Sequence, residues 1–337
     1  MEETRTPSFY DDPAAEYAAF SKSAALVDRS HRTVLRFAGK DPVGMLAAVL
    51  TNEIPQDERL GVYAALLNPK GRVQTDLRVL KSGEVLLIDS EPDGAGAAKE
   101  ILGRYAPFSR VALEDLSSGD EAWSVLGLYG PLAEGLLENP DLAEHETTRM
   151  EIGGVTVLVA GVSAPVAGYD LIGPANSLNT IRERLTGAGA TPAGRDAYET
   201  ARIIASIPRF GADITPDNFP GESESFLERA VSFGKGCYPG QETVARMHYR
   251  GSPNKKLYRF ELEPGSMEPP EAGDEILQSE KKVVGPVSSV DVVGWLSSVA
   301  PLPVDGKVHA LGYLARKADL EAPMRAEEAK VLAANPA

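Results

Sequence analysis

Apolar and polar positions along this chain switch between two rhythms, one of helices and one of strands. EYAAFSKSAALVDRS, near the start, spaces its apolar residues as a short amphipathic helix does. RTVLRFAG then alternates, which predicts a strand ending at Gly39. In DPVGMLAAVLTNEI, Asp41 suits an N-cap and Pro42 the first helical position, while Met45, Leu46, Val49 and Leu50 mark one face. GVYAALLNPKGRVQTDLRVL predicts two strands joined by the turn Asn68-Pro69-Lys70-Gly71. EVLLIDS predicts another strand, and AAKEILGRYAP a helix halted before Pro107.

After SRVALEDLS the same order restarts. EAWSVLGLYG reads as a strand, PLAEGLLEN as a helix, GVTVLVAGV and GYDLIG as strands, and SLNTIRERLTGAG as a helix closing in glycines. Two such rounds predict an α+β fold of two related units with antiparallel sheets. From about Lys255 the pattern turns to short strands separated by Gly and Pro: LYRFELEPG, DEILQSEKKVVGPVSSV, GWLSSVA and VHALGYLAR. That predicts a small C-terminal β-barrel. The expected organisation is a first unit at 1–115, a second at 116–252, a barrel at 253–325 and a loosely held tail at 326–337. Exchange of segments between the two units is allowed for.

Composition narrows the function. The chain has 337 residues, 43% of them apolar, as expected of a folded protein of more than one domain. No apolar run reaches the roughly 18 residues needed to cross a bilayer. MEETRTPSFY lacks the basic flank and apolar stretch of a signal peptide, so a cytoplasmic protein is expected. The net charge of −15 repels phosphate backbones, so no direct contact with nucleic acid is expected. One cysteine excludes an internal disulfide and a Cys-only metal cage. His31, His145, His248 and His309 show no ligand spacing, so no metal site is expected. The glycine clusters do not sit between a strand and a helix, and no P-loop spacing is present.

The lone cysteine lies in KGCYPGQETVARMHYRG, residues 235–251. Gly236, Pro239 and Gly240 suit a tight turn in which Cys237 is a small apolar residue. Alternatively, Lys235, Arg246 and Arg250 favour the thiolate of an exposed, reactive Cys237.

VSFGKGCYPGQETVARMHYRG resembles the signature of the YgfZ-type folate-binding proteins, within the superfamily of the glycine-cleavage T-protein, an aminomethyltransferase. DRSHRTVLRFAGKDPVGMLAAVLTNEI, YAALLNPKGRVQTDLRVL, RYAPFSRVALEDLS and GRDAYETARIIASIPRFGADIT resemble segments of the wider superfamily. The resemblance implies two α+β units around a central channel, followed by a barrel. It implies tetrahydrofolate or a one-carbon derivative in that channel. It also implies work with iron–sulfur proteins or assembly factors, in making or repairing clusters that include those of tRNA-modifying radical enzymes. Two other readings stay open: a folate-dependent aminomethyltransferase or demethylase acting on a small amine, and a folate-binding scaffold whose cysteine is structural.

By the same resemblance, Asp76 is the carboxylate that handles the folate or its one-carbon group, and Asp76 and Cys237 are the catalytic candidates. Arg202 and Arg209 are candidates for a folate carboxylate, and Tyr105 and Tyr238 for stacking on its ring. The T-protein segment commonly carries a glutamate where this chain has Ile204, which cannot grip a pterin; Glu199 is the nearby substitute. Asp76, Ile204 and the Arg202–Arg209 segment are expected to line one cavity, with Cys237 at its mouth. Gln241 and Glu242 would orient the motif of Lys235, Gly236, Cys237, Tyr238, Gly240 and Arg246. His248 is the weaker candidate as a partner of the thiol.

Overall fold

The computed structural model describes residues 6–119, 121–263, 269–279 and 290–337. Two antiparallel-rich sheets and a closed barrel account for the strands among them. The five-stranded sheet runs in the order Val62–Leu67, Val73–Ser82, Val85–Ser90, Thr33–Gly39, Val111–Asp115. The six-stranded sheet runs Thr191–Ala193, Ala25–Asp28, Trp123–Tyr129, Gly168–Pro174, Val155–Val162, Thr147–Ile152.

The pleat explains how the sheets face one another. On Val73–Ser82, Leu77 and Val79 join a core with Met45, Leu46 and Leu102 of the covering helices Pro42–Val49 and Pro92–Tyr105. Asp76, Arg78 and Leu80, one residue out of phase, point the other way. Leu80 packs with Val34 and Leu87 of its own sheet and with Val125, Leu158, Ala160 and Ile172 of the six-stranded sheet. On Gly168–Pro174, Tyr169 and Leu171 likewise pack toward the helix Ala175–Gly187, whereas Ile172 lies between the sheets. Val73–Ser82 and Gly168–Pro174 therefore each spend one face on helices and the other on the opposite sheet. That second face carries the charged residues of the site.

The units exchange segments. The helix Pro13–Lys22 packs on the helix Arg195–Ile204, and Ala25–Asp28 pairs with Trp123–Tyr129 and Thr191–Ala193 of the six-stranded sheet. In return Phe210, Ile214, Phe226, Tyr238 and Val244 pack on Ala65, Leu67 and Val73 of the first hairpin. The opening segment expected to be one helix breaks at Ser23, because ALVD is consumed as a strand between two partners. The helix expected in PLAEGLLEN shrinks to Ala133–Leu136. The barrel runs Lys255–Leu262, Val308–Ala315, Val290–Val299, Glu275–Ser279, Met324–Ala326, Ala329–Pro336. The loosely held tail is a further correction: Ala329–Pro336 closes the barrel by pairing with Lys255–Leu262 and Met324–Ala326. Residues 280–289, inside one expected barrel strand, lie outside the described residues. Among those described, no helix is long and apolar enough to cross a membrane.

Candidate functional site

A cavity of about 90 Å³ opens between the two sheets and the segments packed around them. Its first wall is the five-stranded sheet, which supplies Tyr63, Asp76 and Arg78. Arg29 and Arg32, either side of the chain's crossing from one sheet to the other, form a second. Arg202, Pro208 and Arg209 form a third, and Glu144, His145 and Arg229 close the rim.

Asp76 is 7% exposed, and the Tyr63 hydroxyl donates to its Oδ2 at 2.5 Å. Burial pushes its carboxyl up to about 6, against the opposing effect of that hydrogen bond. Among the described residues no arginine pairs with it in an ion pair, unlike the carboxylates behind it. Arg32 and Arg78 both bind Asp89, and Arg78 reaches Asp170 Oδ2 at 2.6 Å. Arg29 reaches the same Asp170 at 3.2 Å, and the Tyr129 hydroxyl also donates to it. Glu91 takes Arg32. Burial alone would raise Asp89 and Asp170, but the arginines hold both below the usual carboxylate range. This network ties the two sheets together by charge: Asp89 and Arg78 stand on one, Asp170 and Tyr129 on the other. Gly127 makes room for it, since a Cβ there would stand 2.3 Å from the Tyr129 hydroxyl.

The helix Arg195–Ile204 and the loop after it bring in the third wall. Arg202 is buried and committed: it binds Asp213 Oδ2 at 2.6 Å and Glu199 Oε2 at 2.7 Å. Arg209 lies half-open to the cavity, 3.5 Å from Glu199, and its Nε has no hydrogen-bond partner. The barrel holds this wall. Ser297 donates to Asp213 Oδ1 at 2.6 Å, Tyr313 donates to the Asp213 carbonyl at 2.8 Å, and Arg202 also reaches Ser298. Ile204 is not among the lining residues: it sits half-buried at the end of its helix, its carbonyl accepting from Arg259. Of the expected lining, Asp76 and Arg202, Ile207, Pro208 and Arg209 of the Arg202–Arg209 segment face the cavity, and Ile204 does not.

His145 closes the rim under tension. Its φ is 64°, and its backbone is pinned to both sheets, with N–H to Gly161 and C=O to Gly61, each at 2.9 Å. Burial, then Arg78, lowers its imidazole to about 4, so it is neutral near pH 7. Its Nδ1 has no partner.

The cysteine motif stands elsewhere. Cys237 is exposed, just ahead of the helix Gln241–Arg250, and is not among the residues lining the cavity. Gly240 caps that helix at φ 83° and lies against the first hairpin: a Cβ on it would meet Asn68 O at 2.6 Å and Gly71 Cα at 2.7 Å. That contact fixes the motif to the turn of the same hairpin that carries Asp76. Lys235 faces inward. Its Nζ donates to Ala47 O at 2.7 Å and to Leu50 O, capping the helix Pro42–Val49, and stands over the Tyr238 ring. Tyr238 is buried in the core under the hairpin, and Tyr105 lies on the outer helix beside a separate groove with Pro239. Neither tyrosine lines the arginine-rich cavity. Gln241, Glu242 and Arg246 lie on the first turns of the motif's helix, Glu242 and Arg246 exposed, and His248 stacks on Phe233 with ring centroids 4.0 Å apart.

The sequence reading missed most of the cavity. Arg29, Arg32, Arg78, Asp89 and Asp170 lie in separate motif segments, and only their facing-out phase in strand patterns could have singled out Arg78 and Asp89.

The comparisons agree with this architecture. The family model described as the GCVT N-terminal domain matches residues 3–235. An aminomethyltransferase of Rubrobacter xylanophilus is 29% identical over 76% of this chain and 70% of its own length. An iron–sulfur cluster assembly factor IBA57 of Mus musculus, a mitochondrial protein, is 26% identical over 69% of this chain and 64% of its own. The crystal structure of glycine cleavage system aminomethyltransferase T from Bartonella henselae superposes with a TM-score of 0.78 at 20% identity, covering 98% of this chain and 90% of that one. With its two facing sheets, charged central cavity and closing barrel, the chain belongs to the GCVT N-terminal domain family.

Proposed function

We propose that this chain is a YgfZ-type, tetrahydrofolate-binding accessory protein for iron–sulfur cluster assembly or repair, acting in the cytoplasm, with Cys237 as its functional thiol. One observation carries the reading: the unpaired, buried Asp76 of the central cavity and the exposed Cys237 are joined through one hairpin. The family and the names of its relatives support folate and cluster chemistry in general terms.

The polar lining suits the polar edge of a pterin: Asp76 with Tyr63, neutral His145, and the half-exposed Arg209. The volume does not suit a whole folate. About 90 Å³ is well below the roughly 300 Å³ at which ordinary ligand pockets begin. A whole folate would therefore need the cavity to widen on binding. A bound folate would supply a one-carbon carrier. The chain's own part is to orient it, with Asp76 holding or releasing a proton near neutral pH and Arg209 meeting a carboxylate.

Cys237 acts on the other side of the hairpin. One thiolate cannot hold a cluster by itself, so a cluster would be cargo, held briefly between Cys237 and a thiol of another molecule. A transferase reading keeps Asp76 but loses the pterin-gripping carboxylate, since Ile204 carries none and Glu199 is engaged by Arg202. Turnover on a small amine is expected to be absent.

The test is complementation in cells lacking the protein, scored by the activity of an iron–sulfur enzyme. Wild type should restore it, and Cys237→Ser should not, while folding normally and binding tetrahydrofolate like wild type. Full rescue by Cys237→Ser would leave the cysteine a structural residue.

A further inference from the structure

The lining of the central cavity is mostly buried. The side chains of Arg29, Arg32, Arg78 and Arg202 are 4–9% exposed. Glu144, Arg229 and Arg209, at 32%, 28% and 34%, are the charged lining residues that meet solvent, so they mark the mouth. Arg209 pairs within its own wall, with Glu199 of the helix that precedes it. Glu144 and Arg229 pair across the mouth, Oε1 to Nη2 at 2.5 Å. Glu144 stands in the loop ahead of Thr147–Ile152, at the edge of the six-stranded sheet. Arg229 belongs to the helix Glu224–Ala230, which packs through Phe226 on the first hairpin.

The backbones behind this pair are fixed. The loop of Glu144 is seated between two glycines, one beside each sheet: a Cβ on Gly61 would stand 3.1 Å from His145 O, and one on Gly161 2.1 Å from Ala143 O. Thr147 N–H adds a bond to Arg59 O at 3.0 Å. On the other side, Asn52 Nδ2 donates to the Arg229 carbonyl at 3.0 Å and Thr51 Oγ1 to the Ala230 carbonyl at 2.6 Å. Neither backbone withdraws without breaking these bonds. The two side chains are held by less: the ion pair itself, a hydrogen bond of Glu144 with Ser163, and the Tyr63 ring. Arg229 lies over that ring, 5.4 Å from its centroid, and the hydroxyl of the same ring holds Asp76. The pair therefore covers the candidate site.

We infer that the Glu144–Arg229 ion pair is the gate of the cavity: a ligand enters and leaves when these two side chains part and Arg229 swings off the Tyr63 ring, while both sheets stay in place. Partly exposed ion pairs are weak and are screened by salt, so this one opens without unfolding anything. Its parting widens the cavity at the end where Tyr63 and Asp76 lie. A gate obstructs entry and exit alike, so its loss speeds both and leaves the dissociation constant nearly unchanged. Folate enters this inference only as the ligand of the proposed function, so one arm of the test does without it.

In that arm the native full chain is treated with diethyl pyrocarbonate. Modification of His145, whose Nε2 lies 3.7 Å from Glu144 Oε1, is followed by peptide mass spectrometry, with the half-exposed His31 as internal reference. Glu144→Gln and Arg229→Met should each speed modification of His145 at least fivefold and leave His31 within twofold. In wild type, raising salt from about 0.05 M to about 0.5 M should also speed it, a readout that needs no variant. The second arm is stopped-flow mixing with tetrahydrofolate. Glu144→Gln should raise the association and dissociation rate constants at least fivefold each, with the dissociation constant within twofold of wild type. Unchanged reactivity of His145 in both variants overturns the gate, as does a weaker dissociation constant with an unchanged association rate. Faster modification of His145 with no folate bound supports the gate and counts against the folate reading alone. Circular dichroism and thermal melts of each variant separate an opened gate from a loosened fold.

Discussion

The Tyr63 hydroxyl donates to Asp76 across neighbouring strands at 2.5 Å, the one side-chain hydrogen bond that its carboxylate receives from another of the described residues. Ion-paired carboxylates lie behind this pair, yet among the described residues Asp76 itself makes no ion pair. That arrangement makes it the group of the cavity most responsive to pH and to a bound ligand.

Asp76 should cost the protein stability at neutral pH. Its folded value is raised to about 6 from an ordinary 3.8, so the native state binds the proton more tightly than the unfolded chain. Its contribution therefore falls as pH rises from about 4 to 6 and levels off above that. Two units correspond to about 3 kcal/mol. Asp76→Asn should be more stable than wild type by up to that amount at pH 7.5, and equal to it near pH 4. Urea unfolding at both pH values measures the difference. A variant less stable at pH 7.5 would contradict the burial assigned to Asp76.

The arginine network should behave in the opposite sense. Asp89 and Asp170 are held low by Arg78 and its neighbours, so their stabilisation is present above the unfolded value near 4 and is lost as pH falls below it. Arg78→Met leaves two buried carboxylates short of a partner and should cost about 3–5 kcal/mol at pH 7. Its acid-unfolding midpoint should lie at higher pH than that of wild type. Acid titrations followed by circular dichroism test this.

Gly240→Ala should cost more than Gly236→Ala. The first forces a Cβ into Asn68 and Gly71 at a positive φ, whereas the second meets open space. The expected penalties are about 1–3 kcal/mol and less than about 0.5 kcal/mol. Chemical denaturation compares them. Equal penalties would mean that the motif is not seated on the hairpin.

The thiol of Cys237 should react with iodoacetamide in the native protein, because it is exposed. Cys237→Ser should shift stability by less than about 0.5 kcal/mol. Protection of the thiol until the protein unfolds would contradict its placement on the loop.

Strands with one face on helices were legible, as in Thr33–Gly39 and Gly168–Pro174, because their alternation survives in the sequence. The helix Gln241–Arg250 was not, since Val244 is its one fully buried side chain and no apolar stripe marks it. The strand Ala329–Pro336 was not, because half-buried alanines carry little pattern. Asp76 was reachable through family resemblance. Its charged surroundings were not: Arg32 meets Asp89 from 57 residues away and Arg29 meets Asp170 from 141, and no local rule pairs residues so distant. Tyr238 and Lys235 misled for the opposite reason. They lie beside Cys237 in sequence but turn into the core, where Tyr238 fills space and Lys235 caps a helix.

The central claim, a cavity that takes reduced folate beside Asp76, is tested most directly by anaerobic calorimetric titration with tetrahydrofolate, repeated with Asp76→Asn and Arg209→Ala. Wild type should bind one folate per chain with a melting temperature that climbs with ligand concentration, and each variant should bind at least tenfold more weakly. No heat and no melting shift at saturating tetrahydrofolate, or full affinity in both variants, would contradict it.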